Sequence, residues 1–328
     1  AELKGMFEHE ILNQFSEDGG SKEQAFHYHI FAFEFVVHVY FALRKNGQEF
    51  LPEVFERARS AASFIVNMQS PDMRWDYGDS DDAVLVPFED NIPTSLHGWK
   101  RWLESGPAPC GPTQWLGPEP FATPTTKGGW YLAEQSGYAI FRDHEWFVRL
   151  DGSPLGYLSI AAHGHLDAMH VSFWYRSRPI IVDPGTGAYF FDPEAREILA
   201  DRDAHNGPFD PSMRLARRHG VFMWSDHHPE PSIWLGQDQD VSVQSDHREV
   251  SRRRRVRPTE NGWIIEDEVW SSETTTVSVN WTFAPEVRVE QVGPRTFKLT
   301  CCDAVLWFKV DCSWEKVLLD TSSLVSPS

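Results

Sequence analysis

The segment between positions 161 and 189 is rich in side chains that bind metals or transfer protons. It reads AAHGHLDAMHVSFWYRSRPIIVDPGTGAY, and it carries three histidines and two aspartates within a pattern otherwise typical of β-strands. His163 and His165 are two residues apart, so they would share one face of a strand. Asp183 follows the apolar run that ends at Val182, and His205 lies 22 residues beyond Asp183.

Two histidines and one carboxylate are a common ligand set for zinc. If the strands around the turn near Ser177–Pro179 form a hairpin, their far ends meet and bring Asp183 beside His163 and His165. Alternatively, Asp183 only caps the DPGTG turn and the histidines are polar residues at a rim. The spacing alone leaves both interpretations open.

A second group of polar residues lies near the N-terminus in the sequence EQAFHYHIF. Glu23, His27 and Tyr28 fall on one face of a helix predicted between Ser21 and Gly47. A phenol beside a cation or metal can act as a general acid or base. Spacing alone favours the simpler interpretation, in which Tyr28 is a core aromatic on a buried helix.

Other polar residues are interpreted structurally. Asp167 is expected in a turn or at the surface, and His170 is expected to point away from His165. The arginine run Arg252–Arg255 is expected on a solvated edge strand. The aspartates of YGDSDD lack the spacing of a calcium loop and are expected at the rim of a cleft.

The order of the predicted elements indicates two domains in an α+β chain. A second helix is expected to begin at Pro52, and a short one between Ser95 and Leu103, before a connector dense in proline and glycine. Beyond Trp130 the chain alternates as short strands, with a long hairpin turning at Asn261-Gly262. We therefore predict helices over residues 1–120 and an antiparallel β-sandwich over residues 121–328.

Composition excludes several classes of protein. The net charge of −18 argues against nucleic-acid binding. No apolar run reaches the roughly 20 residues that cross a bilayer, so no membrane partner is predicted. The phosphate-loop, dinucleotide, G-x-S-x-G and H-E-x-x-H motifs do not occur. The cysteines show no metal-type spacing and leave the redox compartment open: Cys110, Cys301, Cys302 and Cys312.

Together these motifs resemble the signature of the heparinase II/III-like family of polysaccharide lyases. HGHLD, then VDPGT, then DAHNG follow the family's order H-G-H-x-D, V-D-P-G-T and A-H-N, while EQAFHYH resembles its E-Q-S-x-x-Y-H helix and YGDSDD its G-D-x-D loop. The match is discontinuous and ordered over roughly residues 8–210. The pair H-G-H-x-D and V-D-P-G-T is its most specific part.

The resemblance implies an incomplete (α/α) toroid followed by a β-sandwich, with the active site in the cleft between them. It implies β-elimination of a uronic-acid-containing polysaccharide, such as a heparin-like glycosaminoglycan or alginate. Tyr28 and His163 take the places of the catalytic tyrosine and histidine. His165, Asp183 and His205 take those of a structural divalent metal site, most often zinc. The resemblance also implies four substrate-binding residues: Glu23, His29, Arg202 and Asn206.

Further expectations follow from the same resemblance. The family carries an Asn-His or His-Glu pair some fifty residues before its tyrosine, whereas Tyr28 stands near the start of this chain. We therefore expect only the last helices of a toroid, and an incomplete lyase. The expected partner is an anionic polysaccharide, a homo-oligomer is possible, and a periplasmic or extracellular location suits such a substrate.

Two alternatives stand beside the lyase. The first is a non-catalytic carbohydrate-binding or scaffold protein on the same fold, because the Asn-His region has no counterpart here. The second is a hydrolase that uses the metal of the His/His/Asp site directly. Chelation distinguishes these roles, since a structural metal contributes stability whereas a catalytic metal contributes activity.

Overall fold

The chain folds into helices followed by antiparallel sheets, which confirms the α+β class. The computed structural model describes residues 2–72, 74–81, 83–88, 92–105, 111–121, 128–187, 189–210, 216–227, 230–247, 250–272, 276–311 and 313–320. The helices are α1 (Glu2–Gln14), α2 (Phe26–Lys45), α3 (Pro52–Met68), α4 (Ile92–Ser105), α5 (Gly111–Leu116) and α6 (Pro193–Leu199). The predicted boundary at residue 120 stays a prediction.

The described strands form four antiparallel sheets. They are β1 (Gly129–Ala133), β2 (Tyr138–Arg142), β3 (Trp146–Asp151), β4 (Val171–Tyr175), β5 (Arg178–Ile181), β6 (Arg217–His219), β7 (Met223–Ser225), β8 (Ser232–Leu235), β9 (Val241–His247), β10 (Val250–Thr259), β11 (Gly262–Ser271), β12 (Arg288–Gly293), β13 (Thr296–Cys301) and β14 (Ala304–Lys309). The sheet orders are β1-β2-β3-β4-β5, β11-β10-β9-β8, β12-β13-β14 and β6-β7. Both predicted hairpins are present, as β4–β5 and β10–β11.

The two largest sheets pack face to face through aromatic side chains. The Trp263 ring on β11 lies edge-on to Phe141, with 4.8 Å between centroids, and to Phe173, with 5.8 Å. Alternating apolar residues make this possible, because successive strand side chains point to opposite faces. One apolar core continues from these sheets into α2 and α3.

Helix α2 begins at Phe26, five residues later than the predicted start at Ser21. Ala25 precedes it without a side-chain cap, and Gln24 has a left-handed backbone with φ +54°. Glu23 therefore lies in the loop before the helix and not on its face, which corrects that prediction. By length and composition alone, α2 is long and apolar enough to cross a membrane. Buried core helices of soluble proteins can meet the same criterion.

The arginine run corrects a second prediction, because β10 is a central strand. It pairs with β9 on one side and β11 on the other. Arg254 is fully buried and makes two hydrogen bonds to the Asp267 carboxylate, at 2.7 and 2.8 Å. Arg252 is also buried and donates to the Pro208 carbonyl at 2.9 Å. These two guanidiniums tie the sheet to nearby loops, and Arg253 and Arg255 stay partly exposed.

Buried hydrogen bonds hold the loop that follows α3 against α2. His27 contacts Ser80 Oγ at 2.6 Å and the Ala83 carbonyl at 3.0 Å. Two turns further along α2, the carboxyl of Glu34 accepts hydrogen bonds from the Leu85 amide and the Trp99 indole. The loop is thereby fixed over the first turns of α2, where Tyr28 lies.

The buried Glu34 carboxyl should make the free energy of unfolding depend on pH. Burial raises its pKa to about 7, although the bonds from Leu85 and Trp99 oppose the shift. The folded state therefore holds a proton that the unfolded state releases near pH 4.5. The free energy of unfolding should fall by about 3 kcal/mol between pH 4.5 and 7 from this group. Glu34→Gln should flatten that slope in urea titrations. The exposed Glu49→Gln is the control, and an unchanged slope in Glu34→Gln would contradict the prediction.

Candidate active site and metal centre

Tyr28 on α2 and His163 on the loop before β4 lie side by side, and both side chains are partly exposed. Their rings stack with centroids 4.0 Å apart and planes 19° from parallel. Tyr28 Oη donates a hydrogen bond to Asp81 Oδ2 at 3.0 Å and contacts the Tyr189 hydroxyl. Burial raises the pKa of the Tyr28 phenol, and the charge of Asp81 raises it further. Tyr28 is therefore a protonated phenol in this arrangement.

His163 lies on a loop and not on a strand, which corrects the sequence prediction. Its backbone is left-handed, with φ +70°. Its carbonyl accepts a hydrogen bond from the Asp79 amide at 2.9 Å, and its Nδ1 lies 3.3 Å from Asp79 Oδ2. The Nε2 atom lies 4.0 Å from Glu23 Oε2, and the side chain is 20% exposed. Asp79 thus fixes the imidazole through Nδ1, and Nε2 remains on the side that faces Glu23.

Two glycines of the motifs allow these loops to come together. A Cβ on Gly164 would lie 1.5 Å from the Leu155 carbonyl oxygen, so no larger residue fits between His163 and His165. Gly78 has φ +68°, and a Cβ there would lie 2.4 Å from the Gln24 carbonyl oxygen. Both positions require glycine because backbone approaches backbone.

The Asp79 carboxylate is fully buried and serves three partners. Its Oδ1 lies 3.1 Å from His165 Nε2, and its Oδ2 contacts both His163 Nδ1 and the Arg196 guanidinium. Burial would raise the pKa of Asp79, but the bonds from His163 and His165, together with Arg196, hold it well below its usual range. Asp79 is therefore an anion shared by the two motif histidines.

Arg196 on α6 is the cation of this site. It is 2% exposed, bonds to Asp79 and to the Val221 carbonyl, and stacks 4.5 Å over the Phe222 ring. The sequence interpretation assigned an arginine role to Arg202 instead. The described side-chain contacts of Arg202 are with Asp203 and the Phe209 ring, not with Tyr28 or His163.

A buried cluster of ligand-type atoms lies behind His163. Single atoms of His165, Asp167 and His205 all lie within 4.8 Å of one another. Asp183 Oδ1 lies 3.5 Å from His205 Nε2, so it borders the same cluster. Asp167 is buried and belongs here, which corrects its interpretation as a turn or surface carboxylate. His170 bonds to Ser172 at 3.0 Å and lies next to His205.

The residues of this cluster fit a divalent cation. His165 bonds to Asp79 through Nε2, and His205 bonds to the Asp201 carbonyl through Nδ1 at 2.8 Å. Their other ring nitrogens are buried and have no hydrogen-bond partner within the described part of the chain. Metal-binding histidines show this pattern, with one nitrogen oriented by an acceptor and the other free for the ion.

The charges around the cluster also suit a cation. Asp151, Asp167 and Asp183 are all buried and lie close enough to repel one another. Burial raises the pKa of Asp167, and the charges of Asp151 and Asp183 raise it further. Buried carboxylates normally pair with cations or coordinate metals.

Two residues assigned to substrate binding are structural instead. His29 is fully buried between the Phe15 and Phe64 rings, with Nδ1 accepting from the Ser21 amide and Nε2 near the Ala61 carbonyl, both at 3.1 Å. This placement contradicts a role in contacting substrate. Glu23 is the assigned substrate-binding residue that does lie beside His163.

Asn206 is also buried, and its amide group bonds to both backbone atoms of Val171 at 2.8 Å. Its oxygen accepts a further bond from Arg254 at 2.7 Å. Asn206 therefore joins the loop carrying His205 to β4 and β10, and its side chain is fully buried, out of reach of a glycan.

Sequence reasoning missed three residues of the site. The sequence predicts Asp79 at the rim of a cleft, although Asp79 is also part of the G-D-x-D loop. Tyr189 and Arg196 were given no role; the only available signal was that both closely follow the V-D-P-G-T motif. In the structure Tyr189 contacts Tyr28, Asp79 contacts His163, and Arg196 contacts Asp79.

Comparison with known proteins gives the class of this molecule. Residues 126–311 match the family described as Heparinase II/III-like, C-terminal, and the chain belongs to that family. The recognition made from the motifs is confirmed. A search of curated protein sequences finds no match.

Solved structures of similar fold are twice as long. Heparinase III is 15% identical with a TM-score of 0.64, and the match covers 92% of this chain and 48% of that protein. A heparan sulfate lyase from Pedobacter heparinus is 16% identical with a TM-score of 0.67, covering 91% of this chain and 46% of that protein. These likenesses show the fold, and this chain spans about half the length of those proteins.

Proposed function

We propose that this chain forms the catalytic half of a polysaccharide lyase that cleaves a uronic-acid-containing glycan by β-elimination. The observation that carries the proposal is the stacked and partly exposed pair of proton-transfer groups, Tyr28 and His163. Helices α1–α5 would be the last helices of an incomplete (α/α) toroid. The similar structures include a heparan sulfate lyase, which supports an anionic polysaccharide as substrate.

The reaction requires one base and one acid on the same sugar linkage. His163 Nε2 removes the proton at carbon 5 of the uronate. The electron pair forms the double bond between carbons 4 and 5, the bond from carbon 4 to the glycosidic oxygen breaks, and Tyr28 protonates that oxygen. Tyr28 carries its proton in the folded protein, which a general acid must do before the reaction.

Exposed aromatic side chains beside the reacting pair support glycan binding. Phe190 and Phe191 are 74% and 84% exposed and directly follow Tyr189 in the chain. Phe190 packs on Phe222, which also contacts the His163 ring. An apolar ring face of this kind suits the C–H face of a sugar. The same rings would serve the second candidate, a non-catalytic glycan-binding protein.

We also propose a structural divalent metal, with zinc as the first candidate, held by His165, Asp183 and His205 with Asp167 beside them. Such an ion would supply a rigid link between the loops before β4 and after β5. These three ligand side chains are each 1% exposed. A substrate cannot reach them, so the geometry favours the structural role over a metal-dependent hydrolase.

The remaining expectations stay proposals. A polymer substrate does not cross membranes, which supports a periplasmic or extracellular location. The possible homo-oligomer stays a prediction. Which uronate polymer is cleaved, alginate or a glycosaminoglycan, is a question for a substrate panel.

The test is incubation with a panel of uronate polymers while following the ultraviolet absorbance of the unsaturated product. This 328-residue chain and the longest product of its gene are assayed together. A lyase gives rising absorbance in at least one of them, and His163→Gln abolishes it. Binding of a polymer without any unsaturated product in either sample would support the glycan-binding alternative instead.

A further inference from the structure

The Tyr28 hydroxyl lies between two groups that act on it in opposite ways. Asp81 Oδ2 is on one side at 3.0 Å, and the Tyr189 hydroxyl is on the other. Asp81 is itself fixed, because its Oδ1 accepts a hydrogen bond from the Ala83 amide at 2.9 Å. Tyr189 is fixed against Phe222, with ring centroids 4.8 Å apart.

Each hydroxyl has a single proton, which fixes the donor and the acceptor in each of these hydrogen bonds. An ionised carboxylate only accepts, so the single Tyr28 proton points toward Asp81. The Tyr28 oxygen then accepts the proton of Tyr189. The sequence of donors is Tyr189 to Tyr28 to Asp81.

We propose that Tyr189 is a positioning residue that donates a hydrogen bond to the Tyr28 oxygen and stabilises its phenolate after the proton leaves, while Asp81 orients the phenol beforehand. The proposal rests on the proposed lyase function for its catalytic meaning. The geometry itself does not depend on that function. A donor already aimed at an oxygen where charge develops needs no rearrangement during the reaction.

The two partners have opposite electrostatic effects on Tyr28. The negative charge of Asp81 opposes formation of a phenolate, whereas the Tyr189 hydroxyl favours it. The other charged or titratable groups around the pair lie on the loops before β4 and α2, on the loop after α3, and on α6: His163, Glu23, Asp79 and Arg196. All four stay in place in the variants below.

Tyr189→Phe removes the donor and keeps the ring. The value of kcat should fall about 10- to 100-fold with KM little changed, because a hydrogen bond to a developing charge is lost. Asp81→Asn should instead move the alkaline fall of kcat to lower pH, since the repelling charge disappears. The control is Tyr175→Phe. Tyr175 lies on β4 and its phenol donates to Glu145 at 3.0 Å, the same distance as the bond from Tyr28 to Asp81.

A second readout is independent of activity. With tyrosine labelled by carbon-13 at Cζ, the Tyr28 resonance is assigned by its loss in Tyr28→Phe. It should move in Tyr189→Phe and stay in place in Tyr175→Phe. If it does not move in Tyr189→Phe, the proposal is wrong whether or not the protein is a lyase. If it moves while no polymer is cleaved, the hydrogen bond stands and the lyase function fails.

Discussion

Replacing Tyr28 with phenylalanine is expected to lower kcat for eliminative cleavage by about 1000-fold, with a much smaller change in KM. The phenol is the acid for the leaving oxygen in the proposed reaction, and positioned acid–base groups contribute factors of this size. Phenylalanine keeps the ring that stacks on His163 at 4.0 Å, so the packing around His163 should not change. The measurement is the initial rate of absorbance increase over a range of polymer concentrations.

Tyr40→Phe is the matched control, because Tyr40 lies on the same helix and packs against Phe50 and Phe121 in the core. It should leave kcat within about twofold. A Tyr28→Phe variant that keeps the activity of the parent protein would remove Tyr28 from the mechanism. His163 would then have to act with a different acid.

Removal of the metal is expected to destabilise the protein. When the free metal concentration is 1000 times Kd, binding adds about 4 kcal/mol to the free energy of unfolding. Chelation, or His205→Gln, should remove that contribution and the bound ion together. The measurements are metal content by elemental analysis and unfolding in urea, made on the same samples.

Carboxylate variants separate the two candidate oxygen ligands. Asp183→Asn should lose the ion if Asp183 is a ligand, and Asp167→Asn tests the residue that the cluster geometry adds. The control is Asp203→Asn, an exposed carboxylate two residues before His205. An ion retained at full stoichiometry in His205→Gln would contradict the site. If chelation abolishes activity while the free energy of unfolding is unchanged, the result would support a metal-dependent hydrolase instead.

The sequence predicted the parts of the site that depend on short-range order. The β4–β5 hairpin follows from two apolar runs around a turn, and Asp183 comes after its second strand. Residues 163 and 165 are held apart by a glycine that the crowded backbone requires. The motifs supplied Tyr28 and His163 by resemblance, and their stacking is seen only in the folded chain.

The missed residues depend on distant parts of the chain. Asp79 meets His163 from 84 positions away and Arg196 from 117, and no local pattern encodes such pairs. His29 and Asn206 were wrongly predicted to bind substrate because of their near neighbours in the sequence. They adjoin functional residues in the motifs, but helical and loop geometry turns them into the core, where their polar atoms bond to backbone.

The left-handed backbone of His163 places strain in the loop that carries this residue. An L-residue with a side chain pays about 1 kcal/mol for such a conformation, which glycine adopts freely. Glycine at this position would relieve the backbone strain but would remove the imidazole and its contacts with Asp79 and Tyr28. The loop therefore carries backbone strain at the residue whose ring stacks on Tyr28, and strain of this kind is commonly found at functional sites.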